Sequence, residues 1–149
     1  MPGCTLMNMC LINDGAGRVL VQDKIHARWP GITFPGGHVD DGESVYDSAV
    51  REVKEETGLT VYDLHQAGLI HMYDPETRER RMIFLFKASR CEGEAVEGTE
   101  EGRVFWAPLA DLETMRLAPN MREYLKVFLD DGINEAFVTR DGGYKFYSY

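Results

Sequence analysis

The 149-residue chain has few cysteines, no long hydrophobic run and no excess of positive charge. Its three cysteines, Cys4, Cys10 and Cys91, cannot all pair with one another, and their spacing matches neither a zinc site nor a redox motif. We expect them to be reduced thiols in the core. No segment is long enough to span a bilayer, and the amino terminus lacks a basic region followed by a signal-type apolar run. We therefore expect a cytoplasmic protein with no membrane partner.

The charge balance argues against one class of partner. The chain has 16 basic and 25 acidic residues, a formal net charge of −9. Proteins that hold DNA or RNA neutralise backbone phosphates with basic residues, so we expect no nucleic-acid polymer as a partner. A small polyanion remains possible, because divalent cations can lie between protein carboxylates and the phosphates of a ligand. We expect a small-molecule ligand, and the sequence leaves open a monomer or a homodimer.

Turn residues and apolar periodicity divide the chain into short strands and two helices. Predicted strands at residues 4–12 and 19–21 flank an Asn- and Gly-rich turn and form an opening hairpin. A second hairpin is predicted to join residues 64–73 to 81–88, a short strand covers residues 104–106, and a closing hairpin joins residues 137–138 to 144–147. The predicted fold class is α+β, with a mixed β-sheet between helices in an α/β/α sandwich. The length favours one domain over residues 1–149.

The first helix has a signal at each end. Ser44 is placed to cap its start, with Asp47 three residues later, and Gly58 is a natural residue to end it. Apolar residues recur along it every four positions: Val45, Ala49 and Val53. A second helix is predicted over residues 121–129 from apolar residues at helical spacing.

Glutamates concentrate on this first helix. Glu52, Glu55 and Glu56 stand at i, i+3 and i+4, so their carboxylates converge and repel one another. A hard divalent cation would offset the repulsion, since Mg²⁺ takes oxygen ligands and is commonly held by a few carboxylates together with substrate phosphates. Such an ion also turns a bound water into a nucleophile. Arg51 can pair with Glu43 and hold the glutamates in place. The alternative is an ordinary solvated acidic helix face.

Residues 37–59 follow a longer pattern without exception. The pattern is Gly, five residues, Glu, seven residues, Arg-Glu, an aliphatic residue, any residue, Glu-Glu, any residue, Gly and an aliphatic residue. Chance agreement at its seven fixed identities is on the order of 10⁻⁸ per starting position. The chain therefore resembles the Nudix hydrolases, whose family pattern is called the Nudix box. The predicted order of strands and helices around the box, residues 37–59, resembles the Nudix fold over most of the chain.

The resemblance implies a metal-dependent hydrolase that uses Mg²⁺, for which Mn²⁺ could substitute. Its implied ligands are the main-chain carbonyl of Gly37 and the side chains of Glu52, Glu55, Glu56 and Glu101. We assign Glu52 as the general base, with Arg51 and Glu101 as further catalytic residues. Glu101 lies outside the box, where related enzymes recruit another acidic residue, and the adjacent Glu100 is the alternative. Plain surface charge is the other interpretation of both.

The box fixes the reaction type but leaves the substrate open. The spacing from the first strand to the box and the total length resemble the MutT-type oxidised-purine nucleoside triphosphatases. This implies hydrolysis of a purine nucleoside triphosphate such as 8-oxo-dGTP to the monophosphate and pyrophosphate, in nucleotide-pool sanitation. One alternative is a nucleoside diphosphate derivative such as ADP-ribose, because Pro75 lies about where such hydrolases carry a proline. Another is a non-catalytic nucleotide-binding module, although such modules generally lose box glutamates.

Four residues are candidates for binding the substrate. Asn120 lies just before the second helix, and its amide can both donate and accept, which suits the O6 and N7–H edge of 8-oxoguanine. The equal alternative is a helix cap. Lys24 and Arg28 could meet the triphosphate or be surface cations, and Thr33 is the fourth candidate. Large aromatics could stack on the base, although such residues are more often core: Trp29, Phe34 and Trp106.

Overall fold

A computed structural model describes residues 2–149 of the chain. The strands are β1 (Cys4–Ile12), β2 (Arg18–Lys24), β3 (Gly31–Thr33), β4 (Gly36–His38), β5 (Thr60–Tyr62), β6 (His65–Tyr73), β7 (Arg80–Ala88), β8 (Arg90–Glu92), β9 (Gly98–Thr99), β10 (Gly102–Pro108), β11 (Glu135–Thr139) and β12 (Tyr144–Tyr147). The helices are α1 (Val45–Thr57), α2 (Met121–Leu129) and a 3₁₀ helix (Leu109–Thr114). No helix within residues 2–149 is both long and apolar enough to cross a membrane.

A six-stranded mixed sheet with the order β12-β11-β6-β7-β1-β4 forms the centre of the fold. In it β1 is parallel to β7 and β11 is parallel to β6, whereas the other neighbours are antiparallel. A four-stranded sheet has the order β3-β2-β10-β9, and β5 pairs with β8.

The two α-helices cover opposite faces of the six-stranded sheet. Successive side chains of a strand point to opposite faces. Met9 of β1 belongs to the core cluster that contains Phe128 of α2, whereas the next residue, Cys10, belongs to the cluster that contains Ala49 of α1. The predicted α+β fold, with a mixed sheet between helices, is confirmed.

The predicted ends of both helices are also confirmed. The Ser44 hydroxyl accepts a hydrogen bond from the Asp47 amide at 2.9 Å. Gly58 ends α1 in the left-handed conformation, with φ of 81°, and its amide donates to the Lys54 carbonyl. A residue with a side chain would be strained there, so the glycine fixes where α1 stops.

The strand predictions succeed except at the start of the chain. The second and closing hairpins are present as β6-β7 and β11-β12. The opening hairpin is wrong. β1 and β2 meet only at the bridge between Asn13 and Val19, and then they enter different sheets. Each strand is paired on both sides by other strands, β1 by β7 and β4 and β2 by β3 and β10, which leaves no edge for them to share. The three cysteines are free thiols, as expected, but only Cys10 is buried in the core; Cys4 is exposed at the start of β1 and Cys91 is half-buried.

Candidate active site

A cleft of about 630 Å³ runs beside α1 and reaches the start of α2. This volume is typical of small-molecule sites, which span about 300–1,000 Å³. Acidic side chains enter it from α1 and from the turn before β10, and apolar and amide groups enter it from β1, from the segment before β3 and from α2. The lining includes Asn8, Lys24, Arg28, Trp29, Gly36, Gly37, Glu52, Glu56, Arg81, Glu101, Asn120 and Tyr124.

Arg51 holds the glutamates of the box together. Its guanidinium donates to both carboxylate oxygens of Glu43, at 2.8 and 2.9 Å, so the predicted pair is present. The same group donates to Glu52 at 3.1 Å, to Glu55 at 3.2 Å and to the His38 carbonyl at 3.0 Å. The hydrogen bonds from Arg51 lower the pKa of Glu43 to about 2, and those carboxylates raise the pKa of Arg51. Arg51 therefore remains charged and fixes the orientation of its neighbours.

Glu52 packs against the backbone of Gly37. A Cβ added to Gly37 would lie 2.5 Å from the Glu52 carboxyl carbon and 2.6–2.8 Å from its oxygens. Real Cβ atoms do not approach other atoms so closely, so only glycine leaves room for this carboxylate. Burial raises the pKa of Glu52, the hydrogen bond from Arg51 opposes that effect, and the charges of Glu55 and Glu101 add to it.

Glu56 is more buried than Glu52, and one lysine lies between Glu56 and Glu101. Its side chain accepts a hydrogen bond from the Gly36 amide at 3.0 Å. Burial raises the pKa of Glu56 to about 8, although Lys24 opposes the shift. The Lys24 ammonium lies 4.0 Å from the Glu56 carboxylate and 3.8 Å from that of Glu101. The structure thus brings Glu101, from outside the box, to the same cleft.

Two predicted site residues lie elsewhere. Thr33 is fully buried on β3, where its hydroxyl contacts the Phe34 carbonyl and the Met121 sulfur. The structure thus does not bring Thr33 to the cleft, since its hydroxyl is used in these internal contacts and it is not among the lining residues; its binding of substrate stays a prediction. Glu55 has a side chain that is 58% exposed, and it lines a neighbouring groove with Lys54.

The far part of the cleft contains an amide and an indole. Asn120 has φ of 71° and makes no side-chain cap to α2, which removes the helix-cap interpretation of its side chain. Its Oδ1 instead accepts a hydrogen bond from the Tyr144 hydroxyl at 2.8 Å. The Trp29 indole donates to the Pro119 carbonyl at 2.6 Å and lines the same cleft. Arg28 lies there as well.

The other two aromatic candidates belong to the core. Phe34 packs edge-to-face on Phe128, with ring centroids 5.2 Å apart, and it also lines the wall of the cleft. Trp106 packs against the core cluster beneath α1. Sequence reasoning also missed cleft residues: Asn8, Arg81 and Tyr124. Asn8 carried a signal, because it is a polar residue inside an apolar strand, whereas Arg81 and Tyr124 come from elements whose positions only long-range pairing sets.

The donor chemistry of the cleft suits a hard divalent cation. Carboxylate and carbonyl oxygens are the ligands that Mg²⁺ takes. Within residues 2–149, no three acidic, histidine or cysteine side chains already lie at metal-binding spacing. Glu55 and Glu101 have side chains more than half exposed, at 58% and 56%, and so have room to turn toward an ion. The bare Cα of Gly37 leaves space for the Glu52 carboxylate beside the backbone.

The mixed sheet between two helices, the glutamate-bearing helix α1 and the Arg51 network together define a Nudix-type hydrolase. The model of the NUDIX domain matches residues 7–128. The chain belongs to this family.

Relatives and a solved structure resemble the chain over different lengths. An uncharacterized Nudix hydrolase of Bacillus subtilis is 29% identical over 113 residues, 74% of this chain and 70% of that protein. The oxidized purine nucleoside triphosphate hydrolase of Mus musculus is 38% identical over 90 residues, 57% of this chain and 55%, about half, of the mouse protein. The crystal structure of the MutT protein from Bacillus halodurans superposes with a TM-score of 0.79 at 27% identity, covering 95% of this chain and 97% of that one.

Proposed function

We propose that the chain acts as a single domain and is a Mg²⁺-dependent pyrophosphohydrolase of purine nucleoside triphosphates. Its substrate is an oxidised purine such as 8-oxo-dGTP, which it converts to the monophosphate and pyrophosphate, in sanitation of the nucleotide pool. The observation that carries the proposal is one cleft in which Glu52 and Glu56 line the same cavity as Trp29 and Asn120. The name of the mouse relative supports the same substrate class.

The chain's own groups account for the reaction at the polyphosphate. Mg²⁺ held by the ligands named above would neutralise charge on the phosphate oxygens and acidify a bound water. Glu52 takes the proton from the attacking water, and its raised pKa brings it closer to the working pH of a general base. Arg51 keeps the Glu52 carboxylate in position through its 3.1 Å hydrogen bond. Lys24, beside Glu56 and Glu101, places a positive charge where the triphosphate enters.

The groups in the far part of the cleft recognise the purine base of the nucleotide. Because the Tyr144 hydroxyl donates to Asn120 Oδ1, the Asn120 amide nitrogen is left to donate to the purine O6. The second lone pair of Oδ1 can accept the N7–H that 8-oxoguanine has and guanine lacks. The Trp29 ring, held by Pro119, stacks on the purine.

A nucleotide panel tests the proposal. Product identity and kcat/KM are measured with Mg²⁺ for 8-oxo-dGTP, dGTP and ADP-ribose. We expect pyrophosphate and the highest kcat/KM with 8-oxo-dGTP. Asn120→Ala should lower the preference for 8-oxo-dGTP over dGTP by about tenfold, the value of one hydrogen bond of about 1.4 kcal/mol.

Two outcomes would replace the proposal. Cleavage of ADP-ribose without cleavage of any triphosphate would establish the diphosphate-derivative alternative. Tight nucleotide binding with no turnover of any compound would indicate the non-catalytic module.

A further inference from the structure

Asn8 is a buried polar residue in the middle of an apolar strand. It lies on β1 between Met7 and Met9, only 2% of it is exposed, and it lines the cleft. In the pairing of β1 with β4 it lies opposite Gly37. Burying an asparagine in a strand lowers stability unless both the oxygen and the nitrogen of its amide are hydrogen-bonded. The contacts of Asn8 therefore decide whether it has a role.

The orientation of the Asn8 amide follows from Ser48. The Ser48 hydroxyl is 2.7 Å from the Val45 carbonyl, which can only accept, so its single proton is directed there. Ser48 Oγ must therefore accept from Asn8, and the atom 2.9 Å away is the amide nitrogen Nδ2. The carbonyl oxygen Oδ1 is then the free group of the amide.

Asn8 Oδ1 is buried and has no hydrogen-bond partner among residues 2–149. Buried acceptors in native proteins are nearly always paired with protein or ordered water. A leucine of similar volume would avoid the penalty of an unpaired acceptor altogether. Because Asn8 also lines the cleft, a molecule bound there can supply the missing partner of Oδ1 once the side chains around it adjust.

The same amide is tied to the helix that carries the carboxylates. Ser48 lies one turn before Glu52 on α1, so residues four apart share a face. Next to this contact on β4, the Gly36 amide donates to Glu56 at 3.0 Å. The Asn8–Ser48 hydrogen bond thus holds the face of α1 that carries Glu52 against β1.

We propose that Asn8 is a positioning residue of the metal-dependent reaction. Its Nδ2 anchors α1 through Ser48, and its Oδ1 accepts a hydrogen bond from a water molecule that the divalent cation retains in the cleft. Mg²⁺ usually keeps several waters, and a neutral acceptor orients one without adding charge beside Glu52 and Glu56. The inference rests on the proposed function.

Asn8→Leu tests it, with Ser48→Ala as the matched variant that removes the anchor and the hydrogen bond from Ser48 to Val45 but keeps Asn8 Oδ1. The readouts are the Mn²⁺ dissociation constant from electron paramagnetic resonance, the urea midpoint of unfolding and kcat/KM. For Asn8→Leu we expect an unfolding midpoint equal to or above the wild-type value and a Mn²⁺ dissociation constant raised about tenfold, as for other groups that orient metal ligands. Ser48→Ala should lower the midpoint and change Mn²⁺ affinity less.

A purely structural Asn8 would give the reverse pattern. Asn8→Leu would then lose stability, or fail to fold, and would keep wild-type Mn²⁺ affinity wherever it folds, which would overturn the inference. A high-resolution structure of the wild-type Mn²⁺ complex gives a second test. We expect a water within hydrogen-bond distance of Asn8 Oδ1, and a dry Oδ1 would overturn the inference even if the variant cannot be purified.

The same measurements separate this inference from the proposed function. A wild-type chain that binds no Mn²⁺ and cleaves no nucleotide refutes both. An active wild type whose Asn8→Leu variant matches it in Mn²⁺ affinity and kcat/KM refutes the role of Asn8 alone.

Discussion

Residue 37 must be glycine because of a neighbouring side chain and not because of its own φ and ψ angles. The Glu52 carboxyl group occupies the space where any other residue would place its Cβ, at 2.5–2.8 Å. The position of the Glu52 carboxylate, our proposed general base, therefore depends on residue 37, and a methyl group added at Gly37 would displace it.

Replacing Gly37 by Ala should displace the Glu52 carboxylate. We expect kcat/KM to fall by at least about tenfold, because the carboxylate must turn away from the position of the proposed general base, a role that contributes about 10²–10⁴-fold. Gly143→Ala is the matched control, since a Cβ there meets nothing within 4 Å. Steady-state kinetics of the two variants check this, and a Gly37→Ala variant as active as the control would refute the contact with Glu52.

We expect Glu56, a proposed metal ligand, to make metal binding depend on pH. Its pKa of about 8 in the metal-free chain means that it is mostly protonated at pH 7, and a cation must displace that proton. The apparent Mg²⁺ affinity should therefore rise with pH, by up to about tenfold per unit below pH 8, and level off above it. Calorimetry in two buffers of different ionisation enthalpy measures the released proton. Glu56→Gln should abolish the release, and wild-type binding without proton release would contradict the burial of Glu56.

The carboxylates of α1 were predictable because their spacing is local to one helix, and Glu43 lies just before that helix. Helical spacing alone places Glu52 and Glu56 on adjoining turns, and the Arg51 pair with Glu43 follows from residues eight apart. Thr33 was not predictable, since its burial depends on contact with Met121, which is 88 residues away. The orientation of Asn120 likewise depends on Tyr144 from the last strand.

At the scale of elements, α1 presents the carboxylates and its first turn determines where it begins. Ser44 caps that turn through the 2.9 Å hydrogen bond from the Asp47 amide. Buried Ala49 and Val53 then fix the helix against the sheet. The cap and the apolar stripe thus set the position of Glu52 relative to Gly37.

Removal of the cap should destabilise the chain measurably. Ser44→Ala is expected to lower the free energy of unfolding by about 1 kcal/mol, because an amide in the first turn of α1 loses its acceptor. Urea denaturation measures the change. Ser148→Ala, at an exposed serine outside the helices and strands, is the control and should leave the free energy unchanged. A loss no greater than in the control would show that the cap contributes nothing.

The helices were easier to predict than the strand pairing, for a physical reason. Capping residues and 3.6-residue periodicity lie within the helix itself, and α2 was predicted to the residue. β1 instead pairs with β7, which follows about 70 residues later, and that partner competes with the neighbouring β2. The Asn- and Gly-rich turn was correctly interpreted as a turn, but it cannot reveal that the strands leaving it separate.

At the scale of the whole molecule, the negative charge of the chain opposes binding of the proposed polyanionic substrate. The formal charge of −9 repels a triphosphate, and Glu52, Glu56 and Glu101 concentrate that repulsion in the cleft. Under the proposed function, divalent cations would make the cleft locally positive, with help from Lys24, so we expect substrate binding and turnover both to depend on the metal. The central sheet makes this possible, because it brings α1 and the start of α2 to one cavity from opposite faces.

Pyrophosphate release from 8-oxo-dGTP tests the proposed metal-dependent reaction most directly. It is measured for the wild type, Glu52→Gln and Glu113→Gln, with Mg²⁺ and with a chelator. Glu113 is an exposed glutamate outside the cleft and serves as the control. We predict that chelation abolishes turnover, that Glu52→Gln lowers kcat by about 10³-fold through loss of the general base, and that Glu113→Gln changes nothing. Turnover that survives chelation would contradict metal dependence, and a Glu52→Gln variant as active as the wild type would contradict the role of Glu52 as general base.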